Sequence, residues 1–262
     1  MLAHQLSRCV LPLTATALLL AFALTAPAPS SAQPGKGKLP DFIPAGYDDY
    51  QNMLDQLGIK KTRKGRDSKV KDTSDEATAN PHKDTMPDLM TFKDGTKVKT
   101  ADHWPKRRAE IVTDFEREVY GRIPKNVPKV NWEVTKTEEG EMGGIAIVTK
   151  TLVGHVDNSA FPQIKVAIQA SFTVPKHAAG KVPIILQFGG GFGGKGGGAN
   201  SWQQQALNKG WAYGTINPNS VQGDNNKLRE GVVGLTNKGE PRGPEDWGSL
   251  RAWGWGVSCL ID

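Results

Sequence analysis

The chain has 262 residues, with 33 Lys+Arg against 27 Asp+Glu, 37% hydrophobic residues, 30 Gly, 17 Pro and 2 Cys. A charged fraction of 23% is that of an ordinary folded protein, which excludes a disordered polyelectrolyte, and the composition shows no collagen period, coiled coil or disulfide-dense scaffold. The net charge of +6 is modest and scattered: the one dense basic run, Lys60, Lys61, Arg63, Lys64 and Arg66, is followed by acids from Asp67 to Asp84, so it reads as a solvated loop and not as a nucleic-acid site.

His4 and Arg8 open the chain, and an apolar run from Cys9 to Leu24 follows with Pro12 inside it. Ser30 and Ala32 are small residues three and one positions before a cut at Gln33. This is the pattern of a bacterial secretory signal peptide over 1–32, and it predicts a secreted or periplasmic protein with no membrane attachment after cleavage. A signal anchor is the rival reading, and the shortness of the apolar core argues against it. Cys9 precedes the apolar core instead of ending it, which argues against a lipoprotein. Cleavage leaves Cys259 without a partner cysteine, so no internal disulfide is expected.

Residues 33–85 read as a linker and N-terminal extension. The stretch 33–46 is rich in Gly, Pro and Lys. Tyr47, Tyr50, Met53, Leu54 and Leu57 form one helical stripe that Gly58 ends, and 60–88 read as an extended, wrapping loop. From residue 86 onward the pattern is that of an α/β domain. Thr100 caps a helix with Trp104, Arg108, Ile111, Phe115 and Val119 on one face and Gly121 at its end. Val130–Thr137, Gly144–Val153 and Gln163–Val174 read as an antiparallel meander. Val182–Phe188 is nearly all apolar, as in a parallel strand buried on both faces. A glycine loop, a helix over Ser201–Lys209 and a second buried strand over Trp211–Ile216 follow. A long loop then runs to Glu245. The last helix starts near Asp246, with Trp247, Leu250, Trp253, Val257 and Leu260 or Ile261 on one face. It has no Gly, Asn or Pro stop, and alternating strands and helices call for another strand. The expectation is an N-terminal portion of a longer protein, with a natural end and a frayed helix as the alternative.

The chemistry concentrates in Gly189–Gly198, GGGFGGKGGG. Gly189, Gly194 and Lys195 fit a phosphate loop, but Gly196 stands where a Ser or Thr would hold magnesium. Gly189, Gly191 and Gly194 fit a dinucleotide fingerprint, but no acid follows about 20 residues on at the end of the next strand. A third reading is a hydrolase loop whose backbone N–H groups face a substrate oxyanion, with Gly190 and Gly191 as the candidates. A glycine turn without a ligand remains open beside it. The nucleophile motif G-x-S-x-G is absent from the sequence. Ser258 in GVSCL lacks the second glycine and lies inside the last helix, and Cys259 reads as a packed small side chain. His82 and His103 precede the sheet, and His155 and His177 sit at strand ends, so none stands where a serine hydrolase places its base. No ligand spacing suggests a metal, and no cofactor is expected. Trp202, Trp211, Trp247, Trp253 and Trp255 read as core and loop anchors. An aromatic rim for a sugar ring is the alternative, with Asn217, Asn219, Asn225 and Asn226 as hydrogen-bonding groups.

The run MPDLMTFKDGTKVKTADHWPKRRAEIVTDFEREVYGRIPK (Met86–Lys125) resembles the N-terminal signature of bacterial glucuronoyl esterases, carbohydrate esterase family 15. Phe115, Glu116, Glu118, Tyr120, Gly121 and Pro124 carry it best. VPIILQFGG and EDWGSLRAWGWGVSCLID (Glu245–Asp262) fit the same family. The resemblance covers 86–262. It implies an α/β-hydrolase three-layer sandwich, and a serine esterase that cleaves the ester between 4-O-methyl-glucuronic acid on glucuronoxylan and a lignin alcohol. In the family the Ser, an adjacent Arg, the acid and the His all follow the helix at which this chain stops, so none is carried onto a residue here and the chain alone is expected to be inactive. The alternatives are an exported carbohydrate-binding module, or an esterase or peptidase of the same fold with another substrate. A sheet ended at this point leaves an open edge and an uncovered helix face, which predicts poor solubility.

Overall fold

The computed structural model describes residues 39–62, 85–189 and 201–261. All the elements below lie within the unit Pro40–Asp262. The expected signal peptide over 1–32, most of the basic run and His82 lie outside the described residues, as do Gly190 and Gly191.

Helix α1 spans Asp49–Gln56, and the Asp48 carboxylate caps it by accepting from the N–H groups of Tyr50 and Gln51. Its expected apolar stripe is not a buried face: Tyr50 and Leu57 are exposed and the buried residue is Asp49. Asp49 accepts from Arg242 Nε at 3.3 Å and from the Tyr47 hydroxyl at 3.1 Å. Helix α1 is therefore anchored by charge. Arg229 completes the anchor: its Nη2 donates to the Phe42 carbonyl at 2.8 Å and its guanidinium lies 4.8 Å from the centre of the Tyr47 ring. Burial and the Asp49 charge push the Tyr47 phenol up to about 12, because both disfavour a second negative charge there.

The second helical segment begins as a 3-10 turn over Ala101–His103, continues as α2 over Trp104–Phe115 and ends as a π-helical turn over Glu116–Tyr120, with Gly121 beyond it at φ 74°. Thr100 sits at the N-cap position but makes no side-chain cap. The expected core face is largely exposed at Phe115 and Val119, and the buried residue is Arg107. Arg107 donates to the carbonyls of Leu89 and Asp88 and to the Glu110 carboxylate, so α2 clasps the preceding chain through a guanidinium where an apolar stripe was expected.

Strands β1 (Val130–Met142), β2 (Ile145–Val156), β3 (Ala167–Pro175), β4 (Ile184–Phe188) and β5 (Ala212–Ile216) form one sheet in the order β1-β2-β3-β5-β4. The first four in that order pair antiparallel, and β4 pairs parallel to β5 from Ile184 opposite Ala212 to Phe188 opposite Ile216. The meander was expected, but β1 and β2 run further than their apolar patterns. They meet at Met142 opposite Ile145 around Gly143 and Gly144, both at positive φ. A two-residue hairpin turn of this kind demands φ > 0 at both central positions, which glycine adopts without strain.

Three short helices and a long one complete the α/β architecture. Helix α3 (Trp202–Asn208) is capped by Ser201 and sets Trp202 edge-on to Tyr213 of β5 at 5.8 Å. The expected long loop after β5 contains α4 (Pro218–Val221) and α5 (Gly231–Thr236). Helix α6 spans Ser249–Ile261, with Gly256 packed close to Val221 and Ile216. Tyr213 and Ile216 point to opposite faces of β5, so α3 and α6 cover different sides and the sheet is the middle of three layers. The core lies on the α6 side: Ile168, Ile216, Val221, Val232, Val233, Leu235, Trp247, Ala252 and Trp255 pack together there. The face expected for α6 is offset from the observed one. Ala252, Trp255 and Gly256 are buried, Trp253, Val257 and Leu260 are partly covered, and Leu250 is exposed.

Candidate functional site

In an open parallel sheet, ligands bind beyond the carboxyl ends of the strands. Here that end is made by Phe188 of β4 and Ile216 of β5, with Gly189 and Asn217 directly after them. The Gly189 N–H donates to the Ile216 carbonyl at 2.9 Å, so the parallel pairing persists to the first residue of the glycine run. A side chain at Gly189 would stand 3.2 Å from Thr215 Cβ, which makes the start of the loop tight against β5. Beside it the Asn217 carboxamide caps α4 by accepting from the Asn219 N–H at 3.1 Å, and its Nδ2 donates to Gln169 Oε1 at 3.2 Å. The Trp253 indole lies 6.1 Å from the Phe188 ring, and its Nε1 donates to the Gln222 carbonyl at 2.8 Å. Trp253 thus ties α6, β4 and the loop after β5 together at this end of the sheet.

Strand β4 itself departs from expectation. Its apolar sequence predicts burial on both faces, yet Ile184, Ile185 and Phe188 are 39%, 40% and 48% exposed. The reason is its place in the sheet: β4 is an outermost strand. A shallow, mainly apolar cavity of about 210 Å³ runs along it, lined by Leu186, Phe188, Ile216, Gly254 and Val257. A second opening of about 470 Å³ lies on the outer side of α6 against Tyr120 and Ile123.

The polar candidates do not converge. The Ser258 hydroxyl donates to the Gly254 carbonyl at 3.2 Å, one turn back in α6. Cys259 is half-buried, and its carbonyl accepts from the Trp132 indole at 2.8 Å. His155 is an exposed residue of β2, with its Nε2 2.9 Å from Glu133 Oε2. His103 ends the 3-10 turn edge-on to Phe92 at 6.1 Å, and His177 is exposed after β3. Among the described residues no three His, Cys, Asp or Glu side chains could share a metal ion.

The tryptophans divide by position. Trp247 and Trp255 are buried edge-to-face at 5.8 Å, with Trp247 Nε1 donating to Thr236 Oγ1 at 3.2 Å. Trp202 and Trp211 lie toward the opposite end of β5, and Lys209 sits over the Trp211 ring. Only Trp253 reaches the carboxyl ends of the parallel strands. Sequence reading did not foresee the two clasps made by Arg107 and Arg229. Arg229 had a signal in the sequence, as one of two charged residues in the otherwise apolar run LREGVVGL, whereas Arg107 stands in the charged run KRRAE and had none.

The chain is similar to carbohydrate esterases in sequence and in fold. It is 28% identical over 214 residues to carbohydrate esterase MZ0003 from an unknown prokaryotic organism, a match covering 68% of this chain and 48% of that protein. It is 27% identical over 186 residues to a multidomain esterase of Ruminococcus flavefaciens, covering 68% of this chain and 21% of that one. It superposes on a family 15 glucuronoyl esterase from Teredinibacter turnerae with a TM-score of 0.71 at 27% identity, over 81% of this chain and 55% of that one. A glucuronoyl esterase from Solibacter usitatus matches with a TM-score of 0.54 at 27% identity, over 67% and 52%. No protein-family model matches. The resemblance seen in the sequence is thereby borne out, as is the α/β-hydrolase type of fold. The chain spans about half the length of these glucuronoyl esterases.

Proposed function

We propose that this chain is the N-terminal part of an exported serine esterase of the glucuronoyl-esterase kind, acting on the ester between 4-O-methyl-glucuronic acid on glucuronoxylan and a lignin alcohol. The observation that carries the reading is the β4 edge. It is parallel, wholly uncharged from Ile184 to Phe188 and exposed, and it borders the end of the sheet where the glycine run begins. An edge built for water carries charges, bulges or proline. This one carries none of them, so it suits a further parallel strand. In the proposed whole protein that strand leads to a serine. The serine oxygen attacks the ester carbonyl while a histidine takes its proton. An acid orients the histidine, the alcohol leaves with a proton, and water releases the acyl-enzyme. The described residues supply the framework, and the sequence of the glycine run that follows suggests backbone N–H donors to the oxyanion. The signal-like residues 1–32 support export.

The test is to sequence the coding DNA on both sides of this chain's codons and to assay the longest product against benzyl D-glucuronate. Ester cleavage by the longer product, with none by the 262-residue chain, is the expected result. Cleavage by the 262-residue chain itself, or a longer product that binds xylan and cleaves no ester, overturns the proposal. The latter outcome favours a binding module.

A further inference from the structure

A second cavity opens at the same end of the sheet, on the β3 side of β5, and the proposal above does not use it. It has a volume of about 230 Å³ and lies between the start of β3 and the loop over Asn219–Gly231. That is below the ~300 Å³ at which pockets for drug-sized ligands begin, so it suits an occupant of one sugar ring or less. Its lining is polar, and donors outnumber acceptors in it. Three carboxamides line it, and each has its oxygen occupied by a backbone N–H. Asn219 Oδ1 accepts from Asp224 N at 3.1 Å, Asn225 Oδ1 accepts from Lys227 N at 2.8 Å, and Gln222 Oε1 accepts from Val233 N at 3.0 Å. These bonds fix the flips, so all three NH2 groups are left to donate elsewhere.

Gln222 is the informative member. Its side chain is 1% exposed, yet its Nε2 has no hydrogen-bond partner among the described residues. A buried donor left unmade costs more than an average hydrogen bond returns. A Cβ at Gly231, which also lines the cavity, would stand 2.5 Å from Gln222 Oε1 and 3.1 Å from that nitrogen. Glycine at 231 therefore leaves room for this carboxamide at the wall of the cavity, whose lining includes Gln222. Lys165 and Lys227 line the same space, with no ion pair to either among the described residues. Glu230 is the one acid in the lining and offsets one of the two ammonium groups.

We propose that this cavity binds a small oxyanion, either the carboxylate of a sugar acid or free inorganic phosphate, through the Gln222, Asn219 and Asn225 amides and the two lysines. Three amide donors and two ammonium groups against one carboxylate and the Ser220 hydroxyl make a lining rich in donors and net positive, which favours an acceptor-rich anion over a neutral sugar, whose hydroxyls need both roles.

The test uses the full 262-residue chain labelled with 15N, following the side-chain NH2 signals of Asn219, Gln222 and Asn225. The additions are D-glucuronate, inorganic phosphate and D-glucose. Saturable shifts with glucuronate alone identify a sugar acid, and shifts with phosphate, alone or as well, identify a free-anion pocket. Both support the proposal. The double variant Lys165→Gln/Lys227→Gln, whose side chains hold no part of the fold, weakens binding about tenfold or more. Glu230→Gln strengthens it. No shift with either anion, equal shifts with glucose, or undiminished binding by the lysine variant overturns the proposal. None of these readouts depends on ester cleavage.

Discussion

The two outermost strands of the sheet are built on opposite principles. Strand β1 alternates Glu133, Lys136, Glu138, Glu139 and Glu141 along a largely exposed surface, and its register shifts between Val134 and Lys136. Lys176 reaches back to Glu139 and Lys136 pairs with Glu138. Charge and a bulge are the devices by which a sheet edge refuses a new partner. Strand β4 has none of them: Ile184, Ile185, Leu186, Gln187 and Phe188 present a short, straight, uncharged edge. Two strands in one sheet are both exposed, and only one has a sequence suited to exposure. Exposure alone therefore says little about whether a face meets water in its working state; the side chains that meet the water say more.

The largest effect that follows separates the packed side of α6 from this open side. Trp247 is 1% exposed and holds Thr236 and Trp255. Its replacement by alanine removes a buried aromatic and one of the two hydrogen bonds of the Thr236 hydroxyl, which keeps its bond to the Val233 carbonyl, at a cost of ~3–5 kcal/mol. Phe188→Ala, at the edge, costs the 262-residue chain less than ~1 kcal/mol. Denaturant unfolding of both variants checks the contrast. Equal losses would mean that the edge already belongs to the core.

The next effect is on association. Ile185→Lys places a charge in the middle of the β4 edge and is expected to raise the monomer fraction of the 262-residue chain in sedimentation velocity. Glu138→Val in β1 is expected to lower it. A chain that stays equally monomeric, or equally aggregated, in both variants removes the distinction between the two edges.

Legibility in the sequence followed the same division. Strand β5 and helix α3 were plain because pattern and burial agree: the helix expected from Ser201 begins there, with Ser201 as its cap, and Ala212 to Ile216 alternate as a strand should. The meander was plain in order and short in length, since Lys136 to Glu141 carry no apolar alternation and only the Gly143-Gly144 turn fixes their pairing. Helices α1 and α2 were located but their faces were misjudged. In each, one buried charged residue, Asp49 or Arg107, replaces the apolar stripe as the anchor, and hydrophobic periodicity cannot register an ion pair. Helices α4 and α5 were missed because four and six residues are too few for a 3.6-residue period to repeat. The candidate site was legible as a place, after β4 and β5. The oxyanion candidates Gly190 and Gly191 fall outside the described residues, so their role stays a proposal.

The smallest effect lies far from either edge, in the segment before α2, and it tests whether charge can hold structure where no core does. Phe92 and Val98 pair back onto Thr96 and Met90 across a small hairpin. Asp88 accepts from Lys97 Nζ, Thr91 Oγ1 and the Met90 N–H, and Asp94 accepts from the Thr96 N–H and hydroxyl. Lys97 first and then Thr91 hold the Asp88 carboxyl well below the usual carboxylate range, and the Thr96 bonds hold Asp94 below it as well. A carboxylate whose value is lowered on folding adds stability that is complete above its unfolded value of ~3.9 and drains away as pH falls through the folded one. Both groups are fully exposed, so the consequence is local. An amide titration followed at Met90 and Thr96 is expected to show both N–H signals moving with midpoints under the ordinary carboxylate value. Asp88, with three donors and one of them charged, moves last. The β1–β2 hairpin signals stay in place through the same range. Midpoints at the ordinary value would show that these bonds are too loosely held in water to order the segment, and that its contacts with α2 through Arg107 and Lys93 hold it instead.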